Sequence, residues 1–277
     1  MKSSSQELKL SADGPIVIIG EKINPTGRKK LAAAYQAGDM AYVAELATRQ
    51  VEAGADVLDI NVGVPGLDEV ALLPEVVRLV AQTVDIPLCL DSPNPDALAA
   101  SVGVAPGKPL INSVNGETAS LEAILPIVAD RGAAVIGLTM DDDGIPTDAE
   151  KRVAIAGKII EHAAQAGIPV EDIVIDPLVL TVGADSQAAV VTLQTIERIR
   201  EEFGVNINLG ASNVSFGLPE RRTINEAFLA LAASAGANCV ITDPMKHTLT
   251  IRAIDLLLGR DNYGARYIGH YRTLSKE

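Results

Sequence analysis

Acids and amides recur in this chain directly after short apolar runs, and that placement is what could do chemistry. Glu21 and Asn24 follow PIVIIG, Asp59 and Asn61 close DVLDIN, Asp91 and Ser92 close PLCLDS, and Asn112, Ser113 and Asn115 close LINSVN. Later in the chain Asp141 follows AAVIGLTM, Asp176 follows IVI, Asn213 follows NINLGAS and Asp243 follows CVIT. One carboxylate at such a point commonly caps the next helix, and Asp91 in LDSPNPDAL has that reading open to it. A full series of acids and amides points instead to a ligand, and cations are almost missing at the same depth. A carboxylate accepts two parallel N–H bonds, and carboxamides supply donors and acceptors for the remaining edge. That donor set suits a flat, neutral heterocycle with adjacent N–H groups, of which a 2-amino-4-oxo-pteridine ring is an example. Asn213 stands apart from the others, because it lies in a turn rich in Gly and Ser, NINLGASNVSFGL at 206–218, where Gly210, Ser212 and Gly217 relieve bulk as the chain leaves a strand.

Other chemistries find less support. The histidines, His162, His247 and His270, have no paired spacing, so no zinc site is expected. A hard cation such as Mg²⁺ needs only one or two carboxylates, which Asp59, Asp91, Asp141 or Asp176 could supply, but this ranks below the heterocycle. Cys89 and Cys239 fall inside apolar runs and read as small core residues, and no serine sits in a nucleophile elbow. Lys and Arg number 23 against 36 Asp and Glu, a net charge of -13 that disfavours nucleic acid and anionic membrane surfaces. Aromatic residues are 3% of the chain, which is too few for a base-stacking platform. No apolar run approaches the roughly 20 residues of a membrane span. The N-terminal segment is polar and has no apolar signal core, so a cytoplasmic location is expected.

The elements that must position these side chains alternate regularly. Strand patterns at 15–19, 56–60, 87–90, 110–114, 133–139, 173–175, 207–209 and 239–242 are each followed by a helical pattern. The helices are expected at 39–53, 68–83, 95–102, 120–131, 148–166, 186–203, 219–235 and 246–258. Helices between strands force parallel pairing, and about eight such units predict a closed (β/α)₈ TIM barrel. An open doubly wound sheet would need a glycine-rich phosphate turn after the first strand, and GEKINPTG lacks that pattern. The expected organisation is one domain over 1–277, with a polar tail at 1–14 and an extension at 260–277. In such a barrel the carboxyl ends of the strands form the active face, which is where the acids and amides fall.

The segments GEKINPTGR, LDINVG, LDSPN, INSVNGE, IDPLVL and GASNVSFGLPERR, in that order, resemble the pterin-binding methyltransferases. The likeness is strongest to the methyltetrahydrofolate:corrinoid protein methyltransferases, which share their barrel with the folate module of cobalamin-dependent methionine synthase and with dihydropteroate synthase. It covers nearly the whole chain. LDIN is common to all three groups, whereas IDPL with NVSFGLP is specific to the methyltransferases. The resemblance implies that Asp91, Asn112 and Asp176 hold the pterin ring, with Asp59 and Asn61 of LDIN beside them. It makes Asn213 the mobile amide that reaches N5 of methyltetrahydrofolate and assigns Arg221 to the folate tail. It further implies a corrinoid protein as a separate partner, no bound metal, and a homodimer. Two alternatives stay open: a dihydropteroate synthase-like condensing enzyme, and a pterin-binding module without turnover. The synthases place Lys and Arg near their late strands for a pyrophosphate, and GASNVSFG has neither.

Overall fold

Strands form where β-branched and aliphatic residues run together, because both faces of a parallel barrel strand are buried. In the computed structural model, which describes residues 1–11 and 13–275, eight such strands close on themselves. They are β1 (Val17–Ile23), β2 (Val57–Ile60), β3 (Leu88–Asp91), β4 (Leu110–Asn115), β5 (Ala134–Leu138), β6 (Ile173–Asp176), β7 (Asn206–Gly210) and β8 (Cys239–Thr242). Each pairs in parallel with the next and β8 returns to β1, so the sheet is a closed barrel in sequence order. The expected TIM barrel is the observed fold.

Around it lie α1 (Lys29–Ala37), α2 (Met40–Glu52), α3 (Glu69–Thr83), α4 (Pro95–Val102), α5 (Thr118–Arg131), α6 (Ala149–Gln165), α7 (Ala188–Phe203), α8 (Arg221–Ala235), α9 (Pro244–Leu257) and α10 (Ala265–Leu274). Five of these ten begin at a short polar side chain that accepts from the first turn: Asp39 from Tyr42 N, Asp68 from Val70 N, Asn94 from Asp96 N, Asp148 from Lys151 N and Asp243 from Met245 N. Helices α1 and α10 were not anticipated from the sequence. The first stretch, KKLAAAYQA, follows GEKINPTGR directly, and α10 occupies the expected C-terminal extension. The first strand also runs past Ile19 through GEKI, with a register irregularity between Gly20 and Ile23.

Two apolar layers result. Outward strand residues such as Ile18, Leu58, Ile111, Ile175, Ile207 and Leu209 pack under the helices. Inward residues Val17, Ile19, Val57, Cys89, Leu110, Ala134, Ile136, Val174 and Cys239 fill the barrel. Met1, Leu8 and Leu10 pack against this inner cluster and stopper its N-terminal end. Lys2 and Lys108 exchange backbone hydrogen bonds of 2.9 Å there, beside Gly107 at φ +62, where a Cβ would collide with the Lys2 and Ser3 carbonyls. With one end plugged and the middle full, only the C-terminal mouth is left to receive a ligand.

Candidate active site

Period-two alternation aims every second strand residue into the barrel, so the polar residues that end the strands converge at the mouth. On the β2–β4 side, Asn112 Nδ2 donates to Asp59 Oδ1 at 3.2 Å, and Asn24 Nδ2 approaches Asp91 Oδ2 at 3.4 Å. Asp91 and Asn112 are register partners on adjacent strands. Asn61 also hydrogen-bonds Asp91, while its own Oδ1 accepts from Gly63 N at 2.8 Å. Asp91 does not cap α4, since Asn94 performs that task, and its carboxylate turns instead to Asn24, Asn61 and Asp59 at the mouth.

Asp59 and Asp91 share a hydrogen bond, and burial dominates the titration of both. Burial and then the neighbouring Asp91 charge push Asp59 well above the usual carboxylate range. Burial also raises Asp91, to about 6, while hydrogen bonds from Asn61 and Asp59 pull against it. Burial and the neighbouring carboxyl thus both favour the protonated form of Asp59.

Across the barrel, Asp176 is buried and its pKa is raised to about 6, chiefly by burial. Three groups oppose that rise: Leu178 N donates to Oδ1 at 2.8 Å, Asn208 Nδ2 to Oδ2 at 2.8 Å, and Arg152 lies nearby. Asn208 was missed in the sequence because Ile207 and Leu209 drew attention as the apolar face of β7. The same alternation sends Asn206 and Asn208 inward, which was the available signal. Asn208 is fully buried, and its Oδ1 has no partner among the described residues.

Arg152 was also unanticipated. It comes from α6, is 1% exposed, and donates to the carbonyls of Pro146, Pro177 and Leu178 at 2.7–2.8 Å. Leu178 is left-handed at φ +60, a conformation that costs a leucine on the order of 1 kcal/mol or more, and the Arg152 and Asp176 bonds hold it there. The IDPL segment is thus shaped by a buried guanidinium. Replacing Arg152 with leucine would orphan these carbonyls and is expected to cost roughly 3–5 kcal/mol of stability. Urea unfolding measures it, and a loss under about 1 kcal/mol would mean that water substitutes for the guanidinium.

The raised carboxyls carry a second consequence. An acid with a folded pKa of about 6 and an ordinary unfolded value stabilises the fold fully below pH 4, and that contribution is lost as pH rises through 6. For Asp176 the span is up to about 3 kcal/mol. Against an Asp176→Asn protein, the wild type should therefore lose relative stability between pH 4 and 7 in denaturant titrations. A pH-independent difference would contradict the raised pKa.

Asn213 lies in a 3-10 turn, Ala211–Ser215, that follows β7 at once. Its side chain is exposed and folds back over Gly210, where a Cβ would stand 3.3 Å from Nδ2. Its carboxamide has no hydrogen-bond partner among the described residues. Arg221 ties the turn to α8, donating to Ser212 O at 2.7 Å and Ser215 Oγ at 3.0 Å.

Other strand-end acids do not join the cluster. Asp141 lies beyond the end of β5 and closes a tight turn with Gly144. Asp243 caps α9 and pairs with Lys22 Nζ at 2.7 Å, and Glu21 pairs with Arg28 at 3.0 Å. The expected scarcity of cations at the mouth is correct for the Asp59, Asp91 and Asn112 group but wrong for the β1–β8 side. Lys22, Arg28, Arg221, Arg222 and Lys246 line a cavity there, arriving from β1, its exit loop and the first turns of α8 and α9. Among the described residues no three His, Cys, Asp or Glu side chains are grouped to hold a metal ion. Among the described residues no helix is long and apolar enough to cross a membrane.

Residues 20–243 match the family described as pterin binding enzyme, and the chain belongs to that family. It is 33% identical over 265 residues to the methylcorrinoid:tetrahydrofolate methyltransferase of Eubacterium limosum, covering 93% of this chain and 96% of that one. It is 32% identical over 252 residues to methionine synthase of Mycobacterium tuberculosis, covering 86% of this chain but only 21% of that much longer protein. Among solved structures, dihydropteroate synthase of Yersinia pestis superposes with a TM-score of 0.68 at 20% identity, covering 94% of this chain and 99% of that one. That of Xanthomonas albilineans in complex with 7,8-dihydropteroate gives 0.65 at 24% identity, covering 90% and 94%. At such identities the two synthases speak for the shared fold alone.

Proposed function

We propose that this protein moves a methyl group between N5 of methyltetrahydrofolate and the cobalt of a corrinoid carried by a separate protein. The observation that carries the reading is the pairing of two acid–amide groups, Asp59–Asp91–Asn112 and Asp176–Asn208, with a carboxamide, Asn213, that has no partner among the described residues and lies on the turn between β7 and α8. The family's pterin-binding character and the near full-length relative support it.

In this reading Asp176 accepts parallel N–H bonds from the pyrimidine edge of the pterin. Asn208 and Leu178 N hold its carboxylate in place for that role. Asn112, Asn61 and the Asp59–Asp91 pair offer donors and acceptors to the remaining ring atoms. When the methyl group leaves, the electron pair of its N–C bond stays on N5, which is a poor leaving group unless a hydrogen bond or proton meets that charge. Asn213 donates such a bond but cannot be the acid. Reduced corrinoid supplies the nucleophile in one direction, and its methylated form the methyl group in the other. The relative's name writes the reaction from corrinoid to folate, and one site serves both directions by microscopic reversibility.

Methyl transfer from methyltetrahydrofolate to free Co(I) cobalamin, followed by the cobalt absorbance, tests the proposal. Folate binding without turnover would make the protein a pterin-binding module. A requirement for a pterin pyrophosphate and aminobenzoate would make it a dihydropteroate synthase-like enzyme. The proposed homodimer is a matter for light scattering.

A further inference from the structure

Helix α10 meets the barrel with its polar side. A surface helix ordinarily turns its apolar stripe inward and its charges to water. Here the inward contacts come from Arg266, which reaches Asp255 at 3.4 Å and Asp56 at 3.7 Å, and from His270, whose ring lies beside Gly54. Asp261 fixes the start of the helix by accepting from Arg266 N at 3.0 Å and Tyr267 N at 2.9 Å. No residue of α10 is buried. Ile268, Tyr271 and Leu274 recur at a spacing of three, so they share the opposite, outward face, and all three are exposed.

That face is continuous with the end of α9. Gly264 stands between the two helices, where a Cβ would lie 3.6 Å from Ile268 Cδ1 and 3.7 Å from Leu256 Cδ1, so both side chains close over it. Leu257 beside them is 85% exposed, and Tyr263 is fully exposed. Three of the chain's five tyrosines fall within 263–271, which concentrates aromatic area on this face. An aromatic side chain offers roughly 150–250 Å², so the six exposed apolar residues present on the order of 700 Å². That exceeds the largest patch of an ordinary monomer, about 300–600 Å², and approaches the about 800 Å² that one partner of a standard interface buries.

Charge and position say what covers it. Residues 256–275 hold one acid, Asp261, which is buried and spent on the helix start. In a chain of net charge -13, two copies repel where acids face each other, and least across a face of this kind. Asp255 and Asp56 also accept from Ile16 N and Ile18 N at 2.9 Å, at the start of β1. The face thus stands toward the N-terminal end of the barrel, where a partner that brings cobalt to the C-terminal mouth does not reach. A second copy does, because an isologous pair needs only one self-complementary patch and leaves both mouths open. We infer that two copies of this chain associate through the outward face of α10 and the end of α9. The inference gives the homodimer proposed above its surface and rests on that reading.

Light scattering of the full chain, as wild type and as the Leu257→Asp/Tyr271→Asp double variant, tests it. Wild type at micromolar concentration should have the mass of two chains. The double variant places two new acids in each copy's patch and should stay monomeric at concentrations ~100-fold higher. Both side chains are exposed in the single chain, so its far-UV circular dichroism should be that of wild type. A second reading needs no variant: the amides of 265–274 in wild type should exchange more slowly as concentration rises through the dissociation constant. A dimer that survives the double substitution, or α10 amides indifferent to concentration, overturns the inference and leaves the homodimer standing. A monomeric wild type overturns both.

Discussion

Replacing Asp176 with alanine is expected to weaken tetrahydrofolate binding by a hundredfold or more. Each charge-assisted hydrogen bond to a buried carboxylate is worth roughly 1.5–3 kcal/mol, and two are lost together, less the relief of no longer burying the acid. The partial offset matters because burial already holds the Asp176 pKa near 6, which marks an environment that charges for the ionised form until a ligand arrives. The defect should appear in binding and hardly in the transfer rate at saturating folate, since ring contacts are made equally before and during reaction. Asp176→Asn separates charge from shape: it can keep a bond from Leu178 N yet loses the parallel N–H acceptance. Calorimetry giving wild-type affinity for the alanine variant would remove Asp176 from the ring site.

The second large effect is of the opposite kind. Asn213→Ala should slow methyl transfer by tens to hundreds of fold while leaving folate affinity within a few-fold of wild type. The Asn213 carboxamide has no hydrogen-bond partner among the described residues, so it gives up no protein contact when it turns to N5 as charge develops there. A bond of roughly 1.5–3 kcal/mol formed in the transition state alone lowers the barrier by that amount. Gly210 provides the space, because a Cβ would stand against Asn213 Nδ2. Single-turnover kinetics with saturating folate make the measurement. An unchanged rate would leave the turn without a chemical role, and a lost affinity with an unchanged rate would make Asn213 an ordinary ring contact.

The two substitutions divide the mouth into a rigid part and a responsive part. Asp176 is anchored by Asn208, Leu178 N and the neighbouring Arg152, whose own guanidinium is held by three carbonyls and Thr192. Such a network suits a group that must meet a planar ring in one orientation. Asn213 sits on five residues of 3-10 turn tied to the body by Arg221. A group that meets a charge only as it forms gains from that lighter restraint.

Much of this was legible without coordinates. Eight strand and helix patterns in alternation leave the chain few topologies other than a parallel barrel, since short connections around a helix bring successive strands side by side. Strand-end acids and amides follow from the same reading, because the carboxyl end of a barrel strand is the one end at which a polar side chain has a ligand or water to meet. Asp59, Asp91, Asn112 and Asp176 were visible in this way. The motif NVSFGLP marks the turn around Asn213 from sequence alone.

What the order of residues could not settle is which strand-end groups meet and which are spent elsewhere. Asp91 and Asp243 each precede a helix, and only the fold places the cap of α4 on Asn94 while spending Asp243 on α9 and Lys22. Asn208 and Arg152 reach Asp176 from 32 and 24 positions away in the chain, through inward alternation and helix packing that local pattern cannot rank. The cationic wall is assembled from β1 and the starts of α8 and α9, which are neighbours only because the barrel closes between its first and last strands. Local sequence determines secondary structure and the polarity of each strand end, since those depend on near neighbours. Partners for buried charge depend on closure, and closure is a property of the whole chain.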